Sequence, residues 1–236
     1  MNKKLILEKT KEFVKEKLYG EGSGHDWFHI ERVYNLSRYL AEKENADSFI
    51  VEMAALLHDI DDWKFSSSND TNTTNTEVFL RKIQVNEEEL IKIIKIINTI
   101  SFKGGVVDSS QETIEGKVVQ DADRLDAIGA IGIARTFAYG GNKNRVIYDP
   151  NIKPINFTSL EEVKSENNHT INHFYEKLLK LKDLMNTKSA KEIAEKRHKY
   201  MEEFLNEFYS EWNFNSDNAK YKNRVEDFNS VFILYN

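Results

Sequence analysis

Apolar residues return every three or four positions over most of this chain, the spacing that gives an α-helix one buried face. Leu5 to Leu18 is a Lys-rich segment of this kind. Gly20, Gly22 and Gly24 then interrupt the pattern. It resumes at Ile30, Val33, Leu36 and Leu40, with Asp26 standing where an N-cap belongs, which puts His29 in the first turn of a second helix. Ser48 to Ile60 is apolar on nearly all sides, so it predicts a central buried helix, and it closes on His58 and Asp59. Ser66 to Thr76 is polar and reads as an exposed loop. Leu90, Ile93, Ile94 and Ile97 give Glu87 to Ile100 a helical period in spite of β-branching, and Ser101-Phe-Lys-Gly-Gly105 breaks it. Glu112 to about Ala138 reads as one long helix, with Gly129 and Gly132 inside it as points of close packing. Residues 140–167 are loop-like. Two further helices are expected, over about Asn168 to Met185 and Ala190 to Trp212. Residues 213–236 carry no helical pattern, and Val231 to Tyr235 offers a short strand. The pattern as a whole predicts an all-α fold.

Composition narrows the function classes. A chain of 236 residues fits one domain or two small ones. Both prolines, Pro150 and Pro154, fall in one segment, which marks it as a loop. A net charge of −6 argues against a broad basic surface, so no nucleic-acid polymer is expected as partner. The absence of cysteine removes disulfides, thiolate metal sites and thiol nucleophiles. The apolar runs near the start are too short and too interrupted for a signal peptide or a membrane span, so a cytoplasmic protein is expected. The amphipathic helices offer faces on which a homodimer would form.

Two polar clusters sit where the surrounding pattern is apolar. His58-Asp59 ends the buried helix, and a buried carboxylate is costly unless it is paired or bound to a metal. Either Asp59 caps a neighbouring helix while His58 donates to a carbonyl, or the pair ligates an ion. Asp121, Asp123 and Asp126 lie in another apolar helix. Asp121 and Asp123 are about 200° apart around the helix axis, whereas Asp123 and Asp126 share a face. That face supplies at least one further candidate ligand. Two imidazoles with two carboxylates suit a divalent ion: Mn²⁺ first, with Fe²⁺, Mg²⁺, Ni²⁺ or Co²⁺ as alternatives. Such an ion acidifies water and polarises a phosphoryl oxygen, which is the equipment of hydrolysis.

Five segments carry a resemblance. They are Gly24-His-Asp-Trp-Phe-His29, Leu56-Leu-His-Asp-Ile60, Ser101-Phe-Lys-Gly-Gly105, Gln120-Asp-Ala-Asp-Arg-Leu-Asp-Ala-Ile-Gly-Ala130 and His173-Phe-Tyr-Glu-Lys-Leu-Leu179. In this order they resemble a bacterial branch of the HD superfamily of metal-dependent phosphohydrolases. The likeness spans roughly residues 5–212. It implies an HD-type helical bundle over residues 1–212 with the metal between helices, and a C-terminal tail over 213–236. It implies His29, His58, Asp59 and Asp123 as ligands, with Asp126 orienting one of them from behind.

The same resemblance implies hydrolysis of a nucleotide phosphoester or phosphoanhydride bond. Asp62 matches an acid that in some relatives activates water or protonates the leaving group; otherwise it is a solvated loop acid. His25 and Asp26 either support the metal and substrate or anchor the loop and cap the helix. Lys103, Arg124 and Lys64 are candidates to offset phosphate charge, Lys103 above all because Gly104-Gly105 lets backbone amides approach an anion, and Lys64 least. His169, His173 and His198 are expected to be structural or surface residues. Two other classes stay open: a nucleotide-binding sensor without turnover, and a di-iron oxygenase. The second calls for extra histidines between Asp59 and Asp123, and the sequence has none.

Overall fold

A computed structural model describes residues 2–20, 26–60, 75–100, 108–159, 161–162 and 168–214. The predicted strand at Val231 to Tyr235 lies outside the described residues. Among those described the regular structure is helical, without a strand. The helices are α1 (Lys3–Leu18), α2 (Trp27–Glu44), α3 (Ser48–Leu57), α4 (Asn75–Lys82), α5 (Glu87–Thr99), α6 (Ile114–Asp126), α7 (Gly129–Asn142), α8 (Asn172–Glu176) and α9 (Lys188–Trp212). A 3₁₀ turn at Leu178–Leu184 joins the last two.

α3 is the axis of the bundle. Phe49 to Val51 and Met53 to Leu57 are all buried, and the helix is packed by α1, α2, α5 and α6. Its start is fixed by Asp47, whose carboxylate accepts from the amides of Phe49 and Ile50. α2 and α6 lie side by side and both touch α3. Asp26 caps α2 by accepting from the His29 amide at 2.9 Å. Thr113 caps α6 and Thr187 caps α9 in the same way. Asp121 is fully buried and ties α6 to the start of α9. Its two oxygens accept from the amides of Asn186 and Thr187 at 2.8 Å, and from both of their side chains.

Three expectations need correction. The long helix predicted from Glu112 to Ala138 is two helices. Ile128 is extended (φ −123°, ψ 164°) and Gly129 takes φ +78°, a left-handed conformation that costs a glycine little. A Cβ on Gly132 would lie 2.2 Å from the Ala127 carbonyl oxygen, so only glycine lets α7 fold back against the end of α6. The single helix expected from Asn168 to Met185 is a short helix and a 3₁₀ turn, broken at Lys177 (φ −136°, ψ −61°). Here polar side chains compete with a regular helix. His169 Nε2 and Asn172 Nδ2 both bond the Ile152 carbonyl, and Asn168 and the Ile155 amide donate to buried Glu176. Finally, of the loop expected over Ser66 to Thr76, residues 66–74 lie outside the described residues, and Asn75 and Thr76 belong to α4, an element the pattern missed. Residues 143–159 are irregular, as expected of the segment around Pro150 and Pro154.

Candidate metal centre

Three helix ends meet at one point. His29 lies in the first turn of α2, His58 is the C-cap of α3 with Asp59 after it, and Asp123 stands in the last turn of α6. His29 Nε2 is 3.3 Å from His58 Nε2 and 3.3 Å from Asp59 Oδ2. Asp123 Oδ1 is 3.6 Å from His29 Nε2 and 3.8 Å from His58 Nε2. His29, His58 and Asp59 are buried, while the Asp123 side chain is 31% exposed and forms the open edge of the cluster.

The far side of each imidazole decides what the near side offers. His58 Nδ1 is 2.8 Å from the Ala55 carbonyl oxygen, which can only accept, so Nδ1 carries the proton. His29 Nδ1 is 2.8 Å from Asp126 Oδ2, and the same reasoning holds. In their neutral forms both rings therefore present a lone pair on Nε2, toward each other and toward two carboxylates. Four acceptors converging on one point repel one another unless a cation lies between them. Burial alone would push the His29 pKa down, but Asp126 and Asp59 outweigh it and raise it, which registers the same pull on positive charge. Separations of 3.3 to 3.8 Å sit near the roughly 3.0–3.5 Å between ligands of one ion with bonds of about 2.0–2.2 Å. The donor set fits a first-row divalent metal.

Asp126 backs the cluster. Its Oδ1 accepts from Arg32 Nε at 2.7 Å, and its Oδ2 accepts from Arg32 Nη2 at 3.1 Å and from Arg135 Nη1 at 2.8 Å, besides the His29 contact. Burial raises its pKa, but His29 and Arg32, with Arg135, outweigh that and hold the carboxyl well below the usual carboxylate range. Arg32 and Arg135 went unnoticed in the sequence. Arg32 had a signal, since it lies three residues after His29 on the same helix. Arg135 had none, because it meets Asp126 only through the α6–α7 break.

The other expected site residues fall elsewhere. Arg124 is buried, and its guanidinium donates to the Leu184 carbonyl and to Ser109 Oγ. It thus joins α6 to the 3₁₀ turn and to the segment before α6. Asp26 performs its capping role. His25, Asp62, Lys64 and Lys103 lie outside the described residues. His169 is buried on the Ile152 carbonyl, and His198 pairs with Glu202 at 3.3 Å, both away from the cluster.

Comparison with known proteins agrees with this geometry. The HD domain family matches residues 27–128, which span all four converging side chains. YpgQ of Bacillus subtilis is 41% identical over 199 residues, covering 84% of this chain and 89% of YpgQ. This chain belongs to the HD-domain family. A Bacillus thuringiensis HD-superfamily hydrolase is 48% identical, with a TM-score of 0.69 over 91% of this chain and 100% of its own. A Lactobacillus plantarum protein gives a TM-score of 0.80 at 39% identity, over 90% and 98%. YpgQ in complex with ADP gives 0.72 at 37% identity, over 89% and 97%. Like the Bacillus thuringiensis relative the chain is an HD-superfamily hydrolase, and His29, His58 and Asp59 could hold a metal. Among the described residues no helix is long and apolar enough to cross a membrane.

Proposed function

We propose that this protein hydrolyses a phosphate bond of a nucleotide, with a divalent metal held by His29, His58, Asp59 and Asp123. The observation that carries the reading is the convergence of two imidazole lone pairs and two carboxylates at 3.3 to 3.8 Å, open to the outside along Asp123. The nucleotide part draws on YpgQ, a relative whose crystal structure holds ADP.

When bound, the metal supplies acidification of water and polarisation of a phosphoryl oxygen. The protein supplies the rest. Asp126 and the Ala55 carbonyl hold the Nδ1 protons of His29 and His58, and so keep each Nε2 aimed into the cluster with its lone pair. The buried side chains of α3 exclude water from the inner side of the cluster. The exposed edge at Asp123 is the side from which a substrate phosphate would reach an ion held there. Manganese is the metal we expect, and residues 1–212 the unit that does the chemistry.

The test is product analysis. Metal-stripped protein is reloaded with Mn²⁺ and given nucleoside mono-, di- and triphosphates, with phosphate and pyrophosphate release measured separately. His58→Ala and Asp123→Ala are run alongside. The expected result is metal-dependent turnover that both variants lose. No turnover across the panel, with the metal bound, would move the weight to another phosphoester or to a nucleotide sensor.

A further inference from the structure

The last turn of α6 carries both Asp123, at the open edge of the cluster, and Asp126, behind His29. Two arginines reach this turn from later helices. Arg197 of α9 donates to the Leu125 carbonyl, and Arg135 of α7 contacts the Asp126 carbonyl at 3.4 Å. They differ in one respect. The same Nη1 of Arg135 also donates to the Asp126 side chain, 2.8 Å from Oδ2, whereas Arg197 bonds the main chain. Gly129 and Gly132, which let α7 fold back against the end of α6, bring Arg135 there.

Oδ2 is also the oxygen that meets His29 Nδ1, again at 2.8 Å. The other donor group on this carboxylate is Arg32, which belongs to α2, the helix of His29 itself. Anchors on one helix hold a carboxylate relative to that helix and let it ride along with it. Arg32 is also the looser anchor, 36% exposed against 19% for Arg135. Among the described residues, Arg135 is the donor to this carboxylate from outside α2. It ties the Asp126 side chain to its own backbone and to α7, and so fixes the direction from which Oδ2 faces His29. An imidazole held at Nδ1 by a hydrogen bond of fixed direction cannot tilt without straining that bond, and any tilt displaces Nε2 on the far side of the ring.

We propose that Arg135 is a positioning residue for the metal: acting through Asp126, it aims His29 Nε2 into the cluster, so that the fold-back of α7 at Gly129 helps to set metal affinity. This rests on the metal site proposed above and adds a residue from a helix that supplies no ligand to it. Arg197 is the internal control, since it grips the same helix end without touching the carboxylate.

The experiment is calorimetric titration of metal-stripped protein with Mn²⁺ for the wild type, Arg135→Gln, Arg135→Lys and Arg197→Gln. Thermal melts of each are recorded beside it, with the visible spectrum of each protein loaded with Co²⁺, whose d–d bands follow ligand geometry. Removing a group that directly supports a ligand costs roughly 10–100-fold in metal affinity. Arg135 acts one residue further back, so Arg135→Gln is expected to lose about tenfold and to shift the Co²⁺ bands. Arg135→Lys, which keeps the charge with a single contact, is expected to lose about threefold. Arg197→Gln is expected to lower Tm while Mn²⁺ affinity stays within about twofold of wild type and the Co²⁺ bands stay in place. Wild-type affinity in Arg135→Gln, an equal loss in Arg197→Gln, or weaker binding with unmoved Co²⁺ bands would each overturn the proposal. If Arg135→Gln does not fold, Arg135→Lys decides in its place, and wild-type affinity there overturns it. A wild type that takes up no Mn²⁺ would sink the metal site and this proposal with it. Arg135-dependent metal uptake by a protein that turns over no nucleotide would sink the nucleotide reading alone.

Discussion

Asp126→Asn tests how the metal cluster is held. The change is nearly isosteric, so packing is preserved and chemistry alone is altered. Asn keeps one acceptor oxygen where three partners, His29 Nδ1, Arg32 and Arg135, now share two charged ones. Its amide brings two donors into a corner already filled with donors. One partner at least loses its hydrogen bond, and two guanidiniums lose their nearest countercharge. Breaking a fully buried ion pair costs about 3–5 kcal/mol. Arg32 is 36% exposed and Arg135 19%, so water recovers part of that. A loss of about 2–4 kcal/mol remains. For a chain of this size it lowers Tm by roughly 5–15 °C. A partner behind a ligand imidazole also sets its tautomer and aim, and losing one costs about 10–100-fold in metal affinity. The assay is a Mn²⁺ titration by calorimetry beside thermal melts of the apo protein. Wild-type metal affinity in Asp126→Asn would refute the idea that Asp126 orients His29, whatever happened to Tm.

Four further outcomes follow from the same geometry. The folded pKa of Asp126 is depressed, so its stabilisation is present above the unfolded value of about 3.9 and is lost as pH falls below that toward the folded value; urea midpoints of the wild type and Asp126→Asn should differ above about pH 5, the gap narrowing as pH rises through the range of His29, whose pKa Asp126 raises, and should converge as pH falls below about 4. Asp121→Ala strips four donors of their acceptor at the start of α9 and should cost about 3–5 kcal/mol in denaturant melts, with Mn²⁺ affinity of the folded protein within about twofold of wild type. Gly129→Ala forces a side chain into φ +78° with its Cβ 3.0 Å from Arg197 Cγ, and should lower stability by about 1–2 kcal/mol. Because the metal binds the folded state, a chelator should lower Tm, and Mn²⁺ at a hundred times its Kd should restore about 2.7 kcal/mol; a Tm indifferent to both would count against a metal at this cluster.

How much of this was legible in the sequence depends on what each part rests on. Helices built on a simple apolar stripe or capped by a short polar residue were readable, as α2, α3, α5 and α9 show. α6 and α7 were not separated, because the residues around Ala127 to Gly129 are as apolar as a helix interior, and nothing in a 3.6-residue period registers that Ile128 is extended. The Asn168 to Met185 stretch failed for a different reason. Its apolar residues keep helical spacing, but His169, Asn172 and Glu176 are committed to a segment some twenty residues earlier. Such a commitment is a tertiary fact, and local periodicity does not contain it.

Helical phase sorts the acids of α6 and also marks where sequence reasoning about the site stops. Asp121 and Asp123 lie about 200° apart, and they face different neighbours: Asp121 holds Thr187, the cap of α9, while Asp123 borders the His29–His58 cluster. Asp126, one turn beyond Asp123, comes up behind His29, as a shared face requires. Within one helix the phase is a reliable guide. Arg135 shows the limit. On a continuous helix it would lie nine residues past Asp126, about 180° away and facing the opposite direction. The left-handed turn at Gly129 resets the phase and brings its guanidinium to 2.8 Å from the carboxylate. The glycine that spoils the helix reading is therefore what brings the second guanidinium to the carboxylate behind His29. A sequence search for such supporting residues should restart its phase at each glycine that can take positive φ.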